Sequence, residues 1–361
     1  VSIASGARRS ADDLIWSERG TTPDKIEAAL RELLRERYAS NRRLMPARVL
    51  NLVVVLDRAY RGEIANRLEH VGRYQASRTV ICAVEEGRSE LDALAVMSYD
   101  QRTAGGIGVM RETVEIELGP AHLGYLDTII DPVVISELPT MMWSPHGYDE
   151  AVEAVRDLID VMLLDSDELR EPPEALAHAA ELLSSAYVVD LAWLRTTPWR
   201  ERLAASFDPG DLRMELADIS GLAIRHRPTS TASALLLAGW LCTRLHWEPR
   251  KLAATPLSLT GTACREAGDD VTIELVPIEQ DSPGMAGVTV SCDDGYSLSL
   301  DRGKGGLRAD ECMPDGSERV WRVLGASRGE GGILGEGVRQ ALLRDTTYSP
   351  ALAAAQELCP E

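Results

Sequence analysis

Between residues 49 and 186, strongly apolar runs alternate with amphipathic segments, and that alternation leaves few folds open to the chain. VLNLVVVLD (49–57) is apolar at nearly every position, as a strand buried on both faces would be, and RTVICAV (78–84) repeats the pattern. EIANRLEHVGRY (63–74), between them, has helical spacing. LDALAVMSYD (91–100) and ETVEIELG (112–119) read as alternating strands, a helix begins at Pro120, and PTMMWS (139–144) is a strand. A helix at 149–158, a strand VMLLD (161–165) and a helix PPEALAHAAELLSSA (172–186) complete the series. Strands and helices at this spacing predict an α/β domain whose sheet is mostly parallel with flanking helices. A helix at 23–38 precedes it, with Thr22 as cap, Pro23 in the first turn, and Ile26, Leu30, Leu33 and Leu34 on one face.

The pattern changes after SFDPGDLR (206–213), where Pro209 and Gly210 end a helix. An apolar helix at about 230–245 leads into the short strands VTIELVPI, GVTVSCD, YSLSL and RVWRVLG, and a helix at about 333–344 follows. One hairpin register follows from the residues alone. A two-residue Asp294-Gly295 loop would set Val290 against Ser299 and waste the apolar face. A three-residue loop of Asp293, Asp294 and Gly295 pairs Val288 with Leu300, Val290 with Leu298 and Cys292 with Tyr296, and places glycine where the turn needs positive φ. The second half is therefore expected to be an α+β domain with an antiparallel meander. With 361 residues the chain exceeds one usual core, and the expected division is an N-terminal arm (1–22), an α/β domain (23–208) and an α+β domain (209–361).

A formal charge of −19 argues against nucleic acid as a partner, because phosphate-backbone binding needs a basic surface. The first 50 residues run the other way, at +3, as a solvated basic tail or a segment that docks on an acidic surface. No apolar stretch follows Arg8 and Arg9, and ASALLLAGWLC (232–242) falls short of the about 20 residues that span a bilayer. No membrane role and a cytoplasmic location are expected. The six cysteines form no C-x-x-C and no histidine cluster accompanies them, so no metal is expected. Five lie after residue 240; of these Cys264, Cys292 and Cys312 are redox candidates, although spacing names no pair.

Catalytic patterns are weak. Gly325-Ala326-Ser327-Arg328-Gly329 matches G-x-S-x-G, but the last histidine is His246, and in the α/β-hydrolase order the base follows the serine. The glycine-rich stretch 325–337 could cradle a phosphate beside Arg322 and Arg328, an alternative function as a phosphate-ligand enzyme or sensor. It lacks the third glycine of a dinucleotide fingerprint, and GGIGVM (105–110) is followed by a strand instead of a helix. Asp57, Asp165 and Asp167 stand at strand ends, where open α/β sheets bind ligands, and read here as capping residues. No catalytic residue and no cofactor are assigned.

DLAWLRTTPWRERLA (190–204) stands out by contrast. Thr196 and Thr197 before Pro198 can start a helix in which Trp199 and Leu203 lie one turn apart, flanked by Arg195 and Arg200. Trp193, Arg195, Trp199 and Arg200 are then either an internal buttress near the domain boundary or an interface hot spot, since Trp and Arg often carry binding energy.

The same segment carries a family resemblance. DLAWLRTTPWRERLAASFDP and ADISGLAIRHRPTSTASALLLAGWLCTRLHWEP closely resemble the core signature of the glucose-6-phosphate dehydrogenase assembly proteins, the OpcA family of actinobacteria and cyanobacteria. MPARVLNLVVVLD, ASRTVICAV, LPTMMWSP and GEGGILGEGVRQALLRDTTYSPALAAA extend the similarity in order from about residue 24 to 356. Met142 stands before Trp143 where the family pattern has a second Trp. The resemblance implies a non-catalytic partner that promotes assembly of glucose-6-phosphate dehydrogenase and raises its activity, supporting NADPH production. It also implies a link to thioredoxin in cyanobacterial members, which attaches to no particular cysteine of this chain.

Overall fold

The computed structural model describes residues 13–40, 48–71, 77–100, 109–168, 170–210, 212–266, 268–324 and 329–360. Its contacts divide the chain into two units. One takes the chain up to Leu164 with Ser185–Val189 and Leu334–Leu343; the other takes Asp165–Ser184, Asp190–Ile333 and Arg344 onward.

The first unit begins with β1 (Leu14–Glu18), α1 (Pro23–Ser40), β2 (Leu50–Asp57), α2 (Arg61–Val71) and β3 (Ser77–Val84). It continues through β4 (Asp92–Asp100), β5 (Val109–Leu118), α3 (Leu126–Ile130), β6 (Thr140–Trp143), α4 (Asp149–Ala154) and β7 (Val161–Leu164). The chain then forms α5 (Pro172–Leu182), in the second unit, and returns as β8 (Tyr187–Asp190). The eight strands lie in the order β1-β4-β5-β3-β2-β6-β7-β8. The five central strands β5, β3, β2, β6 and β7 run parallel, and β4 lies antiparallel to β5 and β1. β2 is buried from Leu50 to Leu56, the consequence of an apolar strand covered on both faces.

Two helix expectations change near the sheet. The segment at 63–74 is α2, which begins two residues earlier at Arg61, and residues 72–74 lie outside the described residues. The segment from Pro120 is one 3₁₀ stretch, Pro120–Tyr125, before α3. Residues 14–18, inside the span read as an arm, form a strand antiparallel to β4 with Leu14 opposite Met97. Five residues are too few for periodicity to show it.

The second unit continues with α6 (Leu191–Ser206), α7 (Leu212–Glu215), β9 (Ile219–His226), α8 (Thr231–Leu245), β10 (Glu248–Pro249), β11 (Ala253–Ala254) and β12 (Leu259–Cys264). Then come β13 (Asp270–Pro277), β14 (Met285–Cys292), β15 (Ser297–Gly303), β16 (Gly306–Cys312), β17 (Glu318–Leu324) and, after α9 (Gly329–Gln340), whose residues from Leu334 on belong to the first unit, α10 (Tyr348–Leu358). The sheet runs β10-β12-β13-β9-β14-β15-β16-β17, with β11 on β12. β14 to β17 form the antiparallel meander, while β13 is parallel to β9. Val288 faces Leu300 and Val290 faces Leu298; Cys292 N–H donates to the Tyr296 carbonyl at 2.9 Å. Gly295 at φ 98° supplies the positive φ that a side chain resists.

β9, β12 and β16 escape the sequence reading because Ser, Thr, Gly and charged residues interrupt their apolar alternation. α8 is buried nearly all round, as its lack of a polar face requires, and packs on α10. Gly239 permits that contact: a Cβ there would stand 2.3 Å from the Ala351 carbonyl oxygen.

Candidate functional site

In the first unit, the connections from β2 lead to β3 on one side while β6 lies on the other, so the crevice beyond the C-terminal ends of β2 and β6 is the switch point where doubly wound sheets take ligands. In this chain the crevice turns inward on itself. The Asp57 carboxylate accepts the Ala59 N–H at 2.7 Å, and the Asp57 N–H donates to His146 Nδ1 at 3.1 Å. Tyr60 lies against the His146 ring with centroids 4.8 Å apart, and burial holds the imidazole below its ordinary pKa despite Asp57 and Glu63. Arg58 is drawn aside to Glu85 at 2.9 Å and Glu117 at 3.4 Å. A dinucleotide pyrophosphate needs free N–H groups on a glycine turn at a helix N-terminus. The turn Asp57-Arg58-Ala59-Tyr60-Arg61 instead presents a carboxylate already bonded to the turn, and these residues do not fit that group.

The denser constellation is in the second unit, around α6. The sequence suggests a helix starting at Thr196–Pro198; the structure corrects this to one continuous helix from Leu191, with Pro198 inside it. Its start is set by Asp190, whose Oδ1 accepts the N–H groups of Ala192 (2.9 Å) and Ser166 (3.1 Å). Asp190 Oδ2 accepts Ser166 Oγ–H at 2.7 Å and Tyr348 O–H at 3.0 Å. Burial and the nearby Asp165 nevertheless push its carboxyl up to about 6.

All four residues singled out in this segment lie within the unit. Trp193 and Trp199 are each 2 % exposed, Arg195 is buried, and the Arg200 side chain is only 12 % exposed. Arg195 donates to both oxygens of Asp165 at 2.7 and 2.6 Å, a two-pronged pair, and stands 3.5 Å from Asp167. Arg200 lays its guanidinium 3.6 Å from the Trp193 ring centroid and donates to Thr196 Oγ1 at 2.8 Å and Thr197 Oγ1 at 3.1 Å. Burial lowers Arg200 to about 10. Trp193 Nε1–H reaches Asp345 Oδ2 at 2.9 Å, just before α10. Burial would raise the Asp345 carboxyl, but hydrogen bonds from Thr347 and Trp193 hold it below its ordinary value.

Sequence reasoning named Asp165 and Asp167 but gave them capping roles; the structure brings both to Arg195. It missed Asp190, Ser233, Asp345 and Tyr348, which stand up to 158 positions from their partners and leave no local pattern. Asp57 caps the turn that follows it.

The remaining candidates are separate from this cluster. Cys264 and Cys312 are half-buried, and Cys292 is buried and pushed up to about 12 by burial and surrounding carboxylates, Glu215 foremost. Glu215, Cys292 and Asp294 lie close enough to share a cation, but the Cys292 thiol donates to the Glu215 carbonyl at 3.4 Å, and its raised pKa opposes a thiolate ligand. Ser327 lies outside the described residues, as do 325–328 of the glycine-rich stretch; 329–337 belong to α9. Among the described residues no helix is long and apolar enough to cross a membrane.

A 3-ketoreductase from Actinomadura kijaniata, KijD10, solved as a point mutant in complex with TDP-benzene and NADP, superposes with a TM-score of 0.50 at 11 % identity, covering 85 % of this chain and 95 % of that one. The likeness is one of fold alone. Fold and site together define a two-unit α/β protein in which the turn after β2 is bonded to its own Asp57 carboxylate and to His146. Residues 69–181 match the family model described as the glucose-6-phosphate dehydrogenase subunit N-terminal domain, and 186–352 match the corresponding C-terminal domain. The chain belongs to the OpcA family of glucose-6-phosphate dehydrogenase assembly proteins. It is 27 % identical over 181 residues to the OxPP cycle protein OpcA of Synechococcus elongatus, and 28 % identical over 132 residues to that of a Synechocystis species. These alignments take in 48 % and 36 % of this chain, but only 41 % and 28 % of the relatives' lengths.

Proposed function

We propose that this protein is a non-catalytic partner of glucose-6-phosphate dehydrogenase that binds the enzyme, favours its active assembly and so supports NADPH production in the cytoplasm. The observation that carries the reading is the match of two consecutive dehydrogenase-subunit domains across 69–181 and 186–352. The turn at Asp57, bonded to its own carboxylate and to His146, supports the non-catalytic part, since hydride transfer needs a seated dinucleotide. Activation would work by linkage: a partner that prefers the active state of the enzyme shifts the equilibrium by its difference in affinity. Trp193, Arg195, Trp199 and Arg200 serve this from within, as the frame of α6.

The test is co-purification with the cognate dehydrogenase, followed by its activity at varied glucose 6-phosphate with and without this protein. The expected result is a stable complex with altered kinetics. Absence of binding, or oxidation of glucose 6-phosphate by this protein alone, would overturn the reading.

A further inference from the structure

Two carboxylates of the second unit, Asp165 and Asp167, pair with the buried Arg195, and a third, Asp190, feels the charge of Asp165. Arg195 commits both terminal nitrogens to Asp165. Asp190 is satisfied as an anion by four donors, the Ser166 and Ala192 N–H groups and the Ser166 and Tyr348 hydroxyls. Asp167 accepts the Ser233 N–H at 2.9 Å on Oδ1, lies 2.5 Å from the Ser233 hydroxyl through Oδ2, and has a longer contact to Arg195 Nη1 at 3.5 Å. With Asp165 and Asp167 both ionised, two interior carboxylates would share the Arg195 charge, a costly state inside a protein.

The hydroxyl of Ser233 decides where a proton belongs. Its oxygen lies 2.5 Å from Asp167 Oδ2 and 3.1 Å from the Ala192 carbonyl oxygen. A serine has one hydrogen to donate, and a backbone carbonyl has none. With an ionised Asp167 the one hydrogen is divided between two acceptors, whereas a proton on Asp167 gives each contact its own, Asp167 donating to Ser233 Oγ while Ser233 donates onward to Ala192.

We propose that Asp167 is a carboxylic acid in the folded protein up to neutral pH, and that the chain Asp167–Ser233–Ala192 is a proton-dependent clasp joining the first turn of α8 to the first turn of α6. The groups that face Asp167 are Asp165 on its own loop, Arg195 from α6 and Ser233 from α8; Asp190 and Tyr348 of α10 stand one contact beyond. Burial and the Asp165 charge push Asp167 up to about 7, in agreement.

The sign follows. A carboxyl raised on folding stabilises fully below its unfolded pKa of about 3.9, and that contribution is lost as pH rises to the folded value, then stays level. Asp167→Asn keeps the shape and an N–H donor toward Ser233 but cannot ionise. From about pH 4 to about pH 7, the unfolding constant of the wild type should rise relative to Asp167→Asn by up to about tenfold per pH unit, levelling off above. Parallel pH profiles for the two proteins would overturn the proposal. A measurement on the unmodified chain keeps it open to refutation should the variant fold poorly: with ¹³C-labelled aspartate, two carboxyl carbons should titrate above the ordinary acidic range, and Ser233→Ala should move the higher transition, that of Asp167. Labelled carboxyls that all titrate in the ordinary acidic range would also overturn it.

Discussion

The two units each hold a knot of arginines and carboxylates, and the knots differ in water and in balance. At the β3–β5 end of the first sheet, Arg88 reaches Glu85 (2.6 Å), Asp92 (2.9 Å) and Glu117 (2.8 Å), and Arg58 shares two of those partners. Glu117 is buried, but the other groups keep side-chain exposures between 14 % and 44 %, so solvent reaches the knot and each acid stands beside a cation. Around α6, Arg195 is 5 % exposed and faces more acids than it can neutralise. Charges that are paired at the surface deepen ionisation, as at Asp92, held below its ordinary pKa against burial by Gly20 N–H and Arg88. Charges that are crowded in the interior oppose it, as at Asp167 and Asp190.

The largest expected effect breaks the buried knot. Arg195→Met removes the guanidinium bonded to both oxygens of Asp165 and leaves an uncompensated interior carboxylate, which costs about 3 to 5 kcal/mol. Denaturant midpoints of the second unit should fall accordingly, and high salt should not mask the loss, because the pair is away from solvent. A midpoint within error of the wild type would mean that the cluster is wet and that the contrast between the units is false.

Trp199→Ala tests the same interior by packing instead of charge. Removing a buried Trp typically costs about 3 to 5 kcal/mol, so the melting temperature should fall and dehydrogenase activation should decline only in proportion to the unfolded fraction. A variant with unchanged melting but weakened activation would place Trp199 at the partner surface and overturn its assignment as internal frame.

How far these two regions were legible in the sequence differs for a physical reason. The first sheet announced itself because parallel strands buried on both faces are apolar without interruption, as in residues 50–56, and because caps such as Asp57 act within two residues. The hairpin of β14 and β15 was legible down to its register, since only one loop length keeps both apolar faces together. The α6 cluster was half legible. Its Trp and Arg density marked the segment, but the buttress and hot-spot readings use the same residue types, and only burial separates them. The partners that settle burial, Ser233, Asp345 and Tyr348, come from elements far along the chain, up to 158 residues from theirs. β9 and β16 were hidden because the polar His226 and Glu311 stand at buried positions of the alternation.

The smallest expected effect concerns the wet knot, where Arg88→Ala is the counterpart of Arg195→Met. The wild-type arginine touches three carboxylates, which by count alone suggests a large loss. Screening argues otherwise: partly exposed pairs are worth about 1 kcal/mol or less, and Arg58 remains beside Glu85 and Glu117. The effect should shrink further in high salt. It should also depend on pH in the sense opposite to Asp167. A carboxyl lowered on folding, like Asp92, stabilises above its unfolded pKa, and the contribution disappears as pH falls through the folded value. Arg88→Ala should therefore differ from the wild type at neutral pH and converge with it in acid. Stability curves of the first unit for the two proteins, taken across that range at low and high salt, measure this directly. A loss as large as that of Arg195→Met, insensitive to salt, would show that the first knot is as dry as the second, and exposure could then no longer explain why the two shift their carboxyls in opposite directions.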